Sequence, residues 1–244
     1  MIPDWLHTLS LLCLALGFIC AALVAAHEIR NPQHMWIMNV VWPATALFAG
    51  PLALGGYFTY GTLATRRRMH EAMEKGEEMP NKALTPFPAM VAKGAAHCGS
   101  GCALGDICAE WLAFAFPAIA VWFGWHSLLS EKMFAVWVLD FVLAFLFGVA
   151  FQYFTITPMR GLSPIQGLIQ AVKADALSLT AWQVGMYGFM AIAQFWIFGT
   201  MLGTRLEVNS VEFWFMMQIA MLCGFATSYP VNWWLIRSGI KEKM

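Results

Sequence analysis

Between residues 97 and 111 the chain reads HCGSGCALGDICAEW, a run of thiols, an imidazole and two carboxylates inside an otherwise apolar stretch. His97, Cys98 and Cys102 carry the N and S donors that Cu(I) and Zn(II) take, whereas Asp106 and Glu110 serve protons and harder cations. On a helix, at about 100° per residue, Cys98, Cys102, Asp106 and Glu110 form one slowly drifting row about 18 Å long. His97 and Cys108 fall on another face. Cys98 and Cys102 are also candidates for a redox pair, because residues four apart are neighbours on a helix. Their near-parallel side chains would need distortion to close a disulfide. A second row, Gly101, Gly105, Ala109 and Ala113, runs beside the first and has the small-residue spacing that lets membrane helices approach closely. Gly99 and Gly101, around Ser100, offer a point at which the helix could unwind toward an ion.

Other segments hold groups able to complete such a site. Asp140 lies inside a later apolar run, and an ionisable group at that depth is a functional candidate by default. Gln194, Asn39, Thr45, Gln152 and Asn232 are polar residues that could face the same row and act as packing glue. Methionine is the second theme, with 16 in the chain. His34, Met35 and Met38 cluster in NPQHMWIMN, and Met69, His70, Met73 and Met79 in RRRMHEAMEKGEEM. Met186 and Met190 are spaced four apart, as are Met217 and Met221, with Cys223 close behind. His34, Met35, Met38, Met217, Met221 and Cys223 are the secondary soft-ligand candidates, because thioether and thiol sulfur suit Cu(I). The competing reading is that Met fills irregular gaps in apolar cores.

The elements that must position these residues follow from composition. Of 244 residues, 60% are hydrophobic and 11% charged, with zero net charge. Soluble domains are about 25% charged, so an all-α integral membrane protein of one domain, residues 1–244, is expected. Nothing in the charge balance points to nucleic acid. Six runs approach the roughly 20 apolar residues that a bilayer requires: 5–26, 36–64, 94–124, 132–154, 180–203 and 213–236. The first lacks a basic start and is long for a signal core, so it is expected to be a retained span. Pro43, Gly50 and Pro51 predict a bend in the second. The stretch 161–178 reads as an interfacial amphipathic helix or as an extension of the fifth span. Six spans with the amino terminus inside place eleven of the fourteen Lys and Arg on the cytoplasmic side, so the positive-inside rule predicts both termini in the cytoplasm. Residues 66–93 then form a cytoplasmic loop. The tryptophans mostly mark span ends, and the six cysteines, all in or beside apolar runs, do not form a secreted disulfide framework.

Walker A, GxGxxG, HExxH, GxSxG and CxxCH motifs are absent, and no two histidines pair across the predicted bilayer for a haem. The segments MWIMNVVWPATALFAGPLALGGYFTYG, HCGSGCALGDICAEW and FWFMMQIAMLCGFATSYPVNWWLIRSGIKEKM resemble the membrane family called domain of unknown function 4396. The resemblance implies a multi-pass protein of bacterial type, hence a bacterial cytoplasmic membrane, and brings no established reaction. The leading expectation is therefore binding or transport of a soft metal cation, Cu(I) first and zinc second. His97, Cys98 and Cys102 would hold the metal, and Asp106, Glu110 and Asp140 would form the path. An accessory subunit of a homo-oligomer or larger membrane complex is the alternative, and a membrane thiol redox protein the weaker one. No catalytic residue is identified.

Overall fold

The computed structural model describes residues 2–242, which form a helical bundle. Its helices are α1 (Asp4–Arg30), α2 (Met38–Tyr60), α3 (Arg66–Lys75), α4 (Pro80–Ala83), α5 (Phe87–Ala115), α6 (Ala118–Trp122), α7 (Lys132–Arg160), α8 (Pro164–Ala191) and α9 (Val211–Arg237). A 3₁₀ turn at Gly61–Ala64 follows α2, and α8 continues in wider π form through Ile192–Met201. Among the described residues the β-structure amounts to two isolated bridges, so the all-α expectation holds. Local chemistry sets the boundaries. Pro86 precedes α5 and Pro117 follows it, Gly161 closes α7 in the left-handed conformation, and the Ser210 hydroxyl accepts the Phe213 N–H at the start of α9.

Five helices have the length and composition to cross a membrane: Asp4–Arg30, Met38–Ala64, Lys132–Arg160, Pro164–Met201 and Val211–Arg237. On α1, only 28% of the most apolar stretch is buried, and Leu12, Leu16, Ile19 and Leu23 stand exposed along it. An exposed apolar surface of that extent is what a membrane-facing or partner-facing helix presents. Residues 164–178 form the first part of the continuous α8 helix, after the turn at 161–163.

Met38–Ala64 is not a straight rod. Gly50 sits at φ 49° and ψ −124°, a backbone region open to glycine, and Pro51 follows it. The Trp42 and Tyr57 rings lie 5.4 Å apart, whereas fifteen residues of straight helix span about 22 Å. A methyl placed on Gly61 would also meet the Trp42 ring. The helix therefore doubles back at Gly50–Pro51 into two antiparallel halves. Pro51 has no N–H to offer the Leu47 carbonyl four residues earlier. Gln218 of α9 supplies the missing donor, its Nε2 lying 2.7 Å from that oxygen.

The fold-back leaves the six-span count and the orientation of the termini unconfirmed. Residues 31–37 and 61–66 lie side by side, joined by the Gln33–Thr65 bridge and by hydrogen bonds from His34 N to Ala64 O and from Arg66 N to Pro32 O. The second expected span thus returns to the end of the bundle where it began. The helices running the full length are α1, α5, α7, α8 and α9. The two chain ends lie at opposite ends of the bundle. His7 of α1 pairs with Glu212 at the start of α9, while Glu242 beyond α9 pairs with Arg160 at the far end of α7.

α5 is the central helix, flanked by α2, α7, α8 and α9. It carries Lys93, Asp106 and Glu110 within its length, and its neighbours screen most of it. Its small row works as the spacing predicts. Gly101 lies against the Gly148 backbone of α7, Gly105 against Ala144, and Ala109 and Ala113 pack with Ala135, Val136 and Leu139. On its other side, Gly99 makes room for the fully buried Trp182 ring of α8.

Candidate functional site

The close approach of α5 to α7 and α8 encloses a line of polar side chains. At the end carrying the carboxy terminus, the Lys241 ammonium is buried. It donates to Gly94 O at 2.9 Å and Asn232 Oδ1 at 2.7 Å, with Ser178 Oγ at 3.5 Å. Gly239, at φ 74°, turns the tail back so that this lysine enters the bundle. Asp175 of α8 follows, within electrostatic reach of Lys241 and beside Cys98 and Gln152. Its carboxylate lies against Gly148, where a methyl group would overlap it. Cys98 and Cys102 come next, both fully buried and adjacent.

One turn further along α5 is Asp106, with Gln183 of α8 beside it and Asp140 of α7 within electrostatic range. Glu110 is within electrostatic range of both aspartates and of Lys132, which donates to Ala113 O at 3.2 Å. Glu110 also opens into a pocket of about 190 Å³ at the amino-terminal end, where Lys132, Glu131, Arg205 and Glu207 add charge. Asp106 has a second outlet, a pocket of about 380 Å³ that lies beneath the tip of the folded-back α2 and is walled by α1, α5 and α9. That space exists because α2 turns around at Gly50 instead of continuing.

The row of Cys98, Cys102, Asp106 and Glu110 therefore sits on one side of α5. It does not surround one cavity: Asp106 and Glu110 face different pockets and the thiols face neither. The carboxylate oxygens of Asp106, Asp140 and Asp175 are buried and make no hydrogen bond of good geometry. Buried polar atoms are almost always satisfied, so three such groups in one line need a cause. His97 is buried with Nε2 3.2 Å from Thr155 Oγ1, its ring edge-on to Phe151 of α7. Among the described residues no three His, Cys, Asp or Glu side chains gather closely enough to hold a metal.

The secondary candidates separate. Met217 and Met221 line the pocket that also holds Asp106, while Cys223 is half-buried and its backbone faces Gly185. Met186 and Met190 are fully buried core. His34, Met35 and Met38 lie at the opposite end, in a different cavity. Of the expected polar complement, Gln152 and Asn232 join the line, Gln194 caps Leu206 N, and Asn39 serves the 31–39 turn. Sequence reasoning missed Asp175, Gln183, Ser178 and Lys241. For Asp175, Ser178 and Gln183 the signal was a polar face recurring on residues 174–183, with small residues beside it.

The profile of DUF4396, a domain of unknown function, matches residues 89–241. The chain belongs to the DUF4396 family. The matched segment of this DUF4396 protein contains the whole polar line, from Cys98 on α5 to Lys241, and leaves α1 and the α2 hairpin outside it. No curated protein and no solved structure matches the chain.

Proposed function

We propose that this DUF4396 protein is an integral membrane protein that passes protons along the α5–α7–α8 interface. Three buried carboxyl groups in one line, Asp106, Asp140 and Asp175, none with a hydrogen bond of good geometry, carry that reading; Gln183 lies beside Asp106, and Lys241 is within electrostatic reach of Asp175. An isolated carboxylate buried in an apolar bundle costs several kcal/mol unless a cation or a proton neutralises it. A metal or sodium ion would need a shell of donors gathered at one point, whereas the acidic groups here are strung out along the bundle. A proton needs only one acceptor at a time. Glu110, at its charged pocket, and Lys241, with Asn232 and Ser178, would be the two ends of the path.

The crossing helices would be α1, α7, α8 and α9 around α5, which falls short of the others in apolar composition and is screened from lipid by them, with α2 as a re-entrant hairpin. Each half of α2, about 18 Å long, reaches roughly to the middle of a 30 Å hydrocarbon core, and irregular backbone at that depth is tolerated when buried in protein. Among the described residues, eleven Lys and Arg lie at or near the end that holds α3 and the carboxy-terminal tail, and Lys132 and Arg205 lie at the other. The positive-inside rule then puts the carboxy terminus in the cytoplasm and the amino terminus outside. Labelling single cysteines at Pro3 and Ser238 with a membrane-impermeant thiol reagent on intact cells, in a Cys-free background, should mark the first and spare the second. Equal labelling of both would sink this orientation.

A second reading keeps the soft metal. Cys98 and Cys102, adjacent and fully buried with Asp175 beside them, could pass Cu(I) as substrate along the same line. Reconstitution into liposomes tests both. Protein vesicles should dissipate an imposed pH gradient faster than empty ones under valinomycin and potassium, and the Cys98→Ser/Cys102→Ser variant should keep that rate. A rate equal to empty vesicles rejects the proton path. Copper uptake lost in the same double variant would favour the metal.

A further inference from the structure

The folding back of α2 has a second result, at the end of the bundle rich in basic residues. It brings the 31–38 segment, which leads into α2, against the segment that leaves it. Two methionine clusters far apart in sequence thereby line one cavity of about 860 Å³. Met35 and Met38 come from the first, Met69 and Met73 from α3, Met79 from the turn after it, and Met159 from the end of α7. His34 adds an imidazole. Among the described residues no Asp, Glu or Cys lines this cavity, and Lys82 is the charged residue in its lining. Six of the chain's 16 methionines thus meet here.

Core filling does not account for the arrangement. Methionine used as filler sits in close packing, like Met186 and Met190, at 0% and 1% exposure. Here Met38 and Met69, 6% and 7% exposed, form the floor of an open space, and Met73 and Met159, 47% and 39% exposed, stand at its rim. Gln33, Asn81 and Lys82 also line the space, and Asn81 Oδ1 is buried without a protein partner, so the cavity is polar enough for a hydrated ion to approach. Thioethers with one imidazole, and no carboxylate, select soft monovalent ions over Zn(II), Mg(II) or Ca(II).

We propose that this cavity binds Cu(I), held by thioethers of Met38, Met69 and Met79 with His34 as a further donor. The flexible side chains can close on an ion much smaller than the space, because each has three rotatable bonds. The site stands apart from the α5–α7–α8 line and does not depend on proton passage.

The test is competition for Cu(I) against a chromophoric Cu(I) chelator, under strict reduction, with the full-length protein in detergent. Three proteins are compared: wild type, Met38→Leu/Met69→Leu/Met79→Leu, and Cys98→Ser/Cys102→Ser. Met→Leu is nearly volume-conserving and keeps the apolar packing, and helical circular dichroism confirms the fold. Wild type and the Cys variant should each hold one equivalent that the Met variant lacks. X-ray absorption of that copper should show sulfur and nitrogen neighbours that persist in the Cys variant. Absence of Cu(I) binding in wild type, equal binding in the Met variant, or loss confined to the Cys variant would each overturn the proposal.

Discussion

Asp140→Asn is expected to lower proton flux by about tenfold or more while leaving the thermal midpoint unchanged or slightly raised. Asn has the shape of Asp and keeps a carbonyl acceptor, but it cannot take up and release a proton at neutral pH. Asp140 is fully buried on α7, faces Asp106 and Glu110 across the α5 contact, and has no hydrogen-bonded partner for either oxygen. Removing an acidic group that no cation pairs with deletes an electrostatic burden, so stability has no reason to fall. The accessory-subunit reading predicts the reverse. There the polar line is glue, and its loss would lower the midpoint without touching any flux. Differential scanning fluorimetry and vesicle pH measurements on the same preparation separate the two.

Gly105→Leu is expected to prevent α5 from docking on α7. Even a methyl at Gly105 would lie 2.5 Å from the Ala144 amide nitrogen and 2.6 Å from its Cα. These are backbone atoms of a packed helix and cannot swing aside, so the two helices would have to separate along a row that continues through Gly101 and Gly148. Overpacking of this kind costs about 1–3 kcal/mol, and at the contact of two close helices the upper end applies. The variant should show a thermal midpoint well below wild type, or fail to accumulate in the membrane. Gly55→Leu is the matched control, because nothing lies within 4 Å of a methyl at Gly55. Its midpoint should stay close to wild type, and equal losses for both substitutions would contradict the close-packing account.

Much of the centre of this molecule is readable in its residues. Spacing by four is a property of the helix itself, so the polar row on α5 and the small row beside it could be drawn before any neighbour was known. The small row also says how near a neighbour must come, and α7 comes that near at Gly101 and Gly105. The α2 hairpin is different. Gly50–Pro51 announces an interruption, but local chemistry does not distinguish a modest kink from a full reversal. What decides is the partner: Gln218, distant in sequence, satisfies the carbonyl that Pro51 leaves open. From that one bend follow the opposite placement of the chain ends and the meeting of the two methionine clusters. Asp175 and Lys241 were hidden for a similar reason. Each lies in a stretch whose mean polarity resembles a solvated surface, and their burial depends on tertiary closure by α7 and by the tail turning at Gly239.

The central claim is that the aligned acidic groups carry protons across the bundle. Its most direct test compares wild type with the Asp106→Asn/Asp140→Asn double variant, reconstituted at equal copy number and driven by the same potassium diffusion potential, with pH read inside the vesicle. Wild type should acidify or alkalinise the lumen according to the sign of the potential, and the double variant should match empty vesicles. Equal flux in wild type and double variant would contradict the account.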